Sequence, residues 1–380
     1  MPKNAKSGVR SRESVLTLQT PDPRLATPDS RLQTPDLPYD AVIVVSFGGP
    51  EGMEDVMPFL TNVLRGRNVP PERMRDVAGR YEVFGGVSPI NEQNRNLIAA
   101  LRSELDANGP RLPIYWGNRN WHPMLSHTVR QMANDGVKKA LAFVTSAYNS
   151  YSGCRQYLED IERARVDVGP NAPRIEKLRA FYNHPGFVEA NAENLRAALR
   201  QLPLARRSKA EIAFTAHSIP LSMAQHCEYV VQLQEASRLV LEHALESGLA
   251  PVQDEARNNW RLVFQSRSGP AAQPWLEPDI CDYLQELKEQ GATDVVIAPI
   301  GFVSDHMEVV YDLDTEARAL CRRLGLNMIR ASTPASHPSF IRMIRELILE
   351  RIDPAALARF LGIRGLAHEV CPPGACLRGS

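Results

Sequence analysis

A repeated alternation of two residue patterns sets the strongest limit on how this chain folds. The segment "YDAVIVVSFGG", starting at Tyr39, is a continuous, largely β-branched apolar run that ends in glycines. That is the pattern of a parallel strand covered on both faces. Similar runs follow in "PIYWGNR", "KALAFVTSAY", "AEIAFTAHS", "WRLVFQSRSG" and "DVVIAPIGFVS". Amphipathic helical stretches separate them, among them "NRNLIAALRSELDAN", "HTVRQMANDGVKK", "HPGFVEANAENLRAALRQL" and "EPDICDYLQELKEQG". Strand–helix alternation of this kind predicts an α/β chain with two doubly wound parallel sheets, each flanked by helices.

With 380 residues the chain has the length for such a pair. A polar, proline-bearing stretch, "RVDVGPNAPRIEKLRAF", marks the boundary, so the expected domains run over 38–176 and 177–335. The last strong helical pattern, "PSFIRMIRELILERI", opens a C-terminal segment, 336–380, that turns Gly/Pro-rich and carries cysteines in "HEVCPPGACLRGS". Residues 1–37 are different. TPD returns at Thr20, Thr27 and Thr34 with proline in each unit, and there is little to bury, which predicts a disordered, Pro-rich extension.

Lys plus Arg and Asp plus Glu both number 44, so no charge excess recruits nucleic acid or an anionic membrane. No apolar run reaches the ~18 residues of a membrane span. The basic N-terminus (Lys3, Lys6, Arg10, Arg12) has no apolar core behind it, unlike a secretory signal. Six cysteines in this length are too few for a disulfide scaffold and suit a reducing compartment. The expectation is a cytoplasmic protein with at most peripheral membrane contact; its oligomeric state is open.

Chemistry concentrates where strands end. In open parallel sheets ligands sit outside the carboxyl ends of the strands. "FTAHSIP" puts His217 there, and "VVIAPIGFVSDHMEVVYDLD" puts Asp305, His306 and Glu308 there, with Asp312 and Asp314 close behind. A histidine is a general base near neutrality; a lone one at a strand end also serves as a structural hydrogen-bonding residue. The Asp305-His306-Glu308 group is costly beside a buried strand unless paired, metal-bound or open to a wet cleft. Neither HExxH nor a CxxC pair with partners occurs, so no standing zinc centre is expected, whereas oxygen and imidazole donors suit a transient divalent metal. "FGGPEG" fails both nucleotide-binding fingerprints: Pro50 replaces the second glycine and the P-loop lysine is missing. Arg65 and Arg67 in "VLRGRNVPPERM" read equally as carboxylate grips or as a solvated basic turn.

Taken together, "SFGGPE", "RYEVFGGVSPINEQ", "FTAHSIP", "QSRSGPAAQPWLEPD" and "PIGFVSDHMEVVYDLD", in this order, resemble a ferrochelatase, and "SFGGPEG", "LRGRNVP" and "SAYNSYSGCRQY" are similar to the actinobacterial type. The resemblance implies the chelatase fold of two Rossmann-like domains and the insertion of ferrous iron into a porphyrin, without a nucleotide, at the end of haem synthesis. It implies His217 as proton acceptor and Glu308 as its acidic partner, both touching the substrate iron. It also implies that Phe47, Arg65, Arg67, Ser88, Trp275, Asp305 and His306 line the porphyrin site. Phe47 stands where some relatives carry a metal-approaching tyrosine, a role phenylalanine cannot fill. Coproporphyrin III and protoporphyrin IX both remain open as substrate. The alternatives are a non-catalytic porphyrin or haem carrier and a chelatase for another metal.

The tail resembles relatives that hold a 2Fe–2S cluster, which takes four protein ligands, generally thiolates. Cys371 and Cys376 match tail cysteines, Cys154 in "SYSGCRQY" matches a remote ligand, and His368, in an H-x2-C-x4-C pattern, stands as the fourth. The competing expectation is a tail with two reduced thiols and no cluster.

Overall fold

In β1 (Ala41–Ser46) successive side chains bury to opposite faces. Ala41, Ile43 and Val45 join Val129, Met132, Tyr157 and Ile161 on one side. Val42 and Val44 join Leu97, Leu101 and Leu105 on the other. Both faces of the strand are therefore covered, as its unbroken apolar run predicts. The structure, a computed structural model, describes residues 37–66, 69–246, 259–269, 272–368 and 375–377. The expectations for residues 1–36, Arg67 and Cys371 lie outside the described residues.

The remaining strands are β2 (Ile114–Asn118), β3 (Lys139–Val144), β4 (Arg174–Lys177), β5 (Glu211–His217), β6 (Trp260–Gln265), β7 (Asp294–Ala298) and β8 (Asn327–Arg330). They form two four-stranded sheets, ordered β2-β1-β3-β4 and β6-β5-β7-β8. All pairings within them are parallel. The two sheets thus repeat one winding order. Sequence patterning finds six of these strands and misses β4 and β8. Both are short edge strands with polar, partly exposed residues, the form in which edges are kept from pairing further. β4 lies inside the stretch read as a polar boundary.

One apolar cluster serves both sheets. It takes Val42, Leu141 and Phe143 from the first and Phe214, Phe264 and Val296 from the second. Between them pack Leu97, Phe187, Leu195, Leu233 and Val240 from intervening helices, and Phe340, Ile344 and Leu347 from the helix Pro338–Ile352. That last helix contacts both Ile90–Asn108 and Pro185–Arg200, so the chain's end is built into the common core. Leu37–Ser380 groups as one compact unit. No described helix is long and apolar enough to cross a membrane.

Two strand-end contacts position the site. The Gly301 N–H donates to Thr215 O at 3.0 Å, laying the loop after β7 on the end of β5. A Cβ at Gly301 would fall 2.6 Å from Ala216 Cβ, so the approach depends on glycine.

Phe340 is fully buried and meets the rings of Phe143, Phe181 and Phe187 at 5.8–6.3 Å. Truncation to alanine empties the junction of both halves. Phe340→Ala is expected to lower stability by about 3–5 kcal/mol, the usual cost of a deleted core ring. A fall in the denaturant midpoint checks this; an unchanged midpoint contradicts the shared core.

Candidate active site

His217 ends β5 and Glu308 follows β7, its neighbour in the sheet. Their side chains meet: His217 Nε2 lies 3.5 Å from Glu308 Oε2, and they remain 31% and 46% exposed to the cleft. On the other side of the ring, Nδ1 bonds the Ser218 carbonyl. A carbonyl only accepts, so Nδ1 carries the hydrogen and Nε2 is the nitrogen that gains and loses a proton. β6 contributes the third hold. Gln265 stands opposite His217 in the β5–β6 register, and its Nε2 donates to the Glu308 carbonyl at 3.2 Å.

The pair is electrically polarised. Burial works against charge on His217, but the Glu308 carboxylate, the Ser218 carbonyl and the Asp312 charge outweigh it and raise the imidazole's pKa. Burial likewise opposes charge on Glu308, yet His217, His306 and Arg80 hold its pKa down to about 2. The pair thus favours an imidazolium beside a carboxylate, each charge supporting the other. His306 differs. Its Nδ1 lies 3.8 Å from Glu308 Oε2, its ring packs 5.1 Å from Phe302, and burial with the neighbouring His217 lowers its pKa.

Asp312 follows on the π-helical stretch Val310–Ala317. Burial first, then the Glu308 charge, push its pKa up to about 6, against a lowering by the Ser266 hydroxyl and by Arg80. Ser266 donates a short hydrogen bond to Asp312 from a left-handed backbone, φ 62°, which is strained for serine. Arg80 lies 3.7 Å from Asp312 and stacks 4.9 Å over Tyr311. Asp312, Glu316, Arg80 and Arg267 line a cavity of about 170 Å³ beside the pair. Of these groups Asp312, with its raised pKa, is suited to exchange a proton near neutrality.

The other expected residues fall into three places. Phe47 is 37% exposed, edge-on to Phe59 at 6.2 Å. Phe59 shares an apolar cluster with Tyr81 and Met307, the residue before Glu308, with Trp121 and Tyr311 packed against it. That cluster forms an apolar wall running from the first half to the loop that carries Glu308. Arg65 is exposed at the end of the helix Met53–Val63, bonded to Asn62 at 2.6 Å. Ser88 is buried, its N–H donating to Pro50 O at 2.9 Å, which docks the "GGVSP" loop on the turn after β1. Trp275 is buried under the His217 loop. It bridges Pro220, and Leu276 N–H donates to Ile219 O at 3.0 Å. Asp305 is engaged with Arg330 at 3.1 Å.

Three residues of this site escape the sequence reading: Arg80, Asp312 as a proton-exchanging group, and Arg119. Arg119 pairs with Asp160 and places its guanidinium 5.8 Å over the Phe47 ring. Its signal was present, since it directly follows β2 at a carboxyl end. Arg80 stands inside the "RYEVFGG" motif.

Of the expected cluster ligands, Cys154 is buried on the π-helical turn Tyr151–Arg155 and Cys376 is buried in the tail. Arg155 Nη1 donates to Ala375 O at 3.2 Å, and Cys376 N–H donates to His226 O at 2.9 Å. The tail therefore lies against the turn that carries Cys154. His368 is exposed. Among the described residues no three His, Cys, Asp or Glu side chains form a metal-holding group.

A model of the family described as Ferrochelatase matches residues 39–352. A ferrochelatase of Rhodopirellula baltica is 53% identical over 341 residues, covering 90% of this chain and 94% of the relative. A coproporphyrin III ferrochelatase of Streptomyces coelicolor is 48% identical over 356 residues, covering 89% and 93%. Among solved structures, SirB from Bacillus subtilis is similar at 12% identity and TM-score 0.45, covering 81% of this chain and 94% of that one.

The Glu308 charge is the main influence raising His217, opposed by burial. Glu308→Gln removes it, leaving the lowering influence dominant, so the His217 titration midpoint should move to lower pH. Imidazole NMR across a pH series measures this. A midpoint that stays in place defeats the ion-pair assignment.

Proposed function

We infer the working of the site from one premise: this chain belongs to the ferrochelatase family and is a porphyrin metal chelatase, inserting ferrous iron into a porphyrin in haem biosynthesis. The proposed proton acceptor is His217, with Glu308 as its acidic partner. The observation that carries this reading is the 3.5 Å approach of Nε2 to Oε2 with Nδ1 tied to a carbonyl. It leaves one ring nitrogen for proton transfer and aims that nitrogen into the cleft.

Insertion exchanges the two pyrrole protons for the metal dication. Neutral His217 takes a pyrrole proton at Nε2, and the Glu308 carboxylate stabilises the imidazolium that forms. Asp312, with its pKa pushed up to about 6, holds and releases a proton near neutrality, and the adjoining cavity gives it an outlet. Glu308 oxygen, and His217 Nε2 before it takes up a proton, replace part of the hydration shell of the substrate iron without gripping it as four thiolates would. A flat macrocycle hides its nitrogens, so the wall of Phe47 and its neighbours holds the ring bent; strain of this sort is about 1–5 kcal/mol, drawn from contacts elsewhere on the ring.

Relatives named as coproporphyrin III ferrochelatases support that porphyrin as the substrate. The basic residues Arg65 and Arg67 suit the extra propionates it carries. The proposed setting is the cytoplasm, with at most peripheral membrane contact.

The docking of Ala375 and Cys376 on Arg155 and His226 supports a second proposal. It is a 2Fe–2S cluster held by Cys154, Cys371, Cys376 and His368, or with Cys227, the residue after His226, in place of His368. Bound, it supplies a one-electron centre and a tie between tail and core; the proton chemistry above belongs to His217, Glu308 and Asp312 alone.

An anaerobic assay with ferrous iron tests the first proposal. His217→Ala should cost about 10²–10⁴-fold in turnover, the range for a positioned general base, with porphyrin binding retained. Coproporphyrin III should be used with higher kcat/KM than protoporphyrin IX. Equal turnover of variant and wild type overturns the assignment of His217. The cluster is tested by colour and iron content after purification without air. Visible absorbance lost in Cys154→Ser supports it, and comparing His368→Ala with Cys227→Ser identifies the fourth ligand. A colourless, iron-free wild type rejects it.

A further inference from the structure

Both ends of the segment that carries Glu308 are gripped by one side chain. Arg330 closes β8, beside Ile297 of β7 in the register. Its Nη1 and Nη2 donate to the two Asp305 carboxylate oxygens at 3.1 and 3.2 Å. Its Nε donates to Asp314 Oδ1 at 2.9 Å. Asp305 lies just before Glu308 and Asp314 in the middle of the π-helical stretch, so Glu308 is carried on the bridge between the two anchors. Arg330, Asp305 and Asp314 side chains are only 16%, 17% and 24% exposed.

Each anchor is itself secured. Asp305 N–H donates to Gln93 Oε1 at 2.9 Å from the helix Ile90–Asn108, and Thr333 Oγ1 donates to the Asp305 carboxylate at 3.3 Å. Arg318 donates to Asp314 at 3.1 Å. A largely buried guanidinium shared between carboxylates stabilises a fold no better than apolar residues of similar volume. What it does supply is direction, because the planar fork fixes both partners at set angles.

We propose that Arg330 is a positioning residue for iron insertion, acting through Asp305 and Asp314 to hold Glu308 opposite His217. This rests on the reading of Glu308 as the acidic partner. Arg330 touches neither member of the pair, so its effect runs through placement alone. A charge-only role is met by any cation; a positioning role requires the fork.

The test separates iron use from porphyrin binding. In Arg330→Gln, kcat/KM for ferrous iron per folded molecule should fall about 10- to 100-fold, as for a catalytic group displaced by about 1 Å. Porphyrin affinity, read by fluorescence titration, should not change. Arg330→Lys, which keeps the charge without the fork, should recover only part of the loss, and Asp314→Asn, which cuts one anchor, should show the same pattern more weakly. Unchanged iron kcat/KM overturns the proposal, as does a fall in porphyrin affinity in step with iron use, or full recovery by lysine. An inert wild type counts against the chelatase reading instead. Hydrogen exchange over Val310–Ala317 then decides the clamp without turnover: faster exchange in Arg330→Gln supports it, and unchanged protection overturns it.

Discussion

Parallel pairing of β5 with β7 is the constraint from which the site follows. Neighbouring parallel strands end on the same edge, so whatever follows each is delivered to one rim. β5 ends in His217, and the chain leaving β7 folds back over Thr215 through Gly301 before presenting Glu308. β6, on the other flank of β5, ends at Gln265 and pins the Glu308 carbonyl. Three adjacent strand ends thus build one proton-handling unit. The common core keeps the apolar wall of the first half in place against it, because helices such as Pro338–Ile352 pack between the halves.

The unit contains two kinds of ion pair with opposite purposes. Arg330 with Asp305 and Asp314 is forked, multiply bonded and mostly covered. His217 with Glu308 is a single contact at 3.5 Å, open to the cleft. Its proton is exchangeable, which a general base requires. The rigid pair frames the labile one. Were the two exchanged, with the fork on Glu308, that carboxylate would be too tightly satisfied to take a further partner.

How far the sequence speaks depends on where chemistry sits relative to a strand. His217 and Asp305–Glu308 are legible because a buried apolar run stops and titratable residues begin at once, a change with no packing rationale. The six strands found from sequence are legible by their apolar runs. β4 and β8 are not, being short and half polar. Arg330 inherits that silence: at the end of "NMIR" it is one more basic residue until β8 pairs with β7. Trp275 is reached through its motif, and its bridge to Pro220 beside the His217 loop comes only with the fold.

The same pairing bears on the proposed role of His217. Glu308, the Ser218 carbonyl and Asp312 raise the imidazole's pKa against burial, so the open cleft favours the form that cannot accept a proton. Both side chains still reach water there, at 31% and 46% exposure. On the proposed reading a porphyrin in the cleft removes that water. Desolvation penalises both charged forms, lowering the imidazole's pKa and raising the carboxylate's. Iron beside the ring would lower the imidazole's pKa further, by charge repulsion. Substrate binding would thus favour the neutral base that the proposed reaction requires.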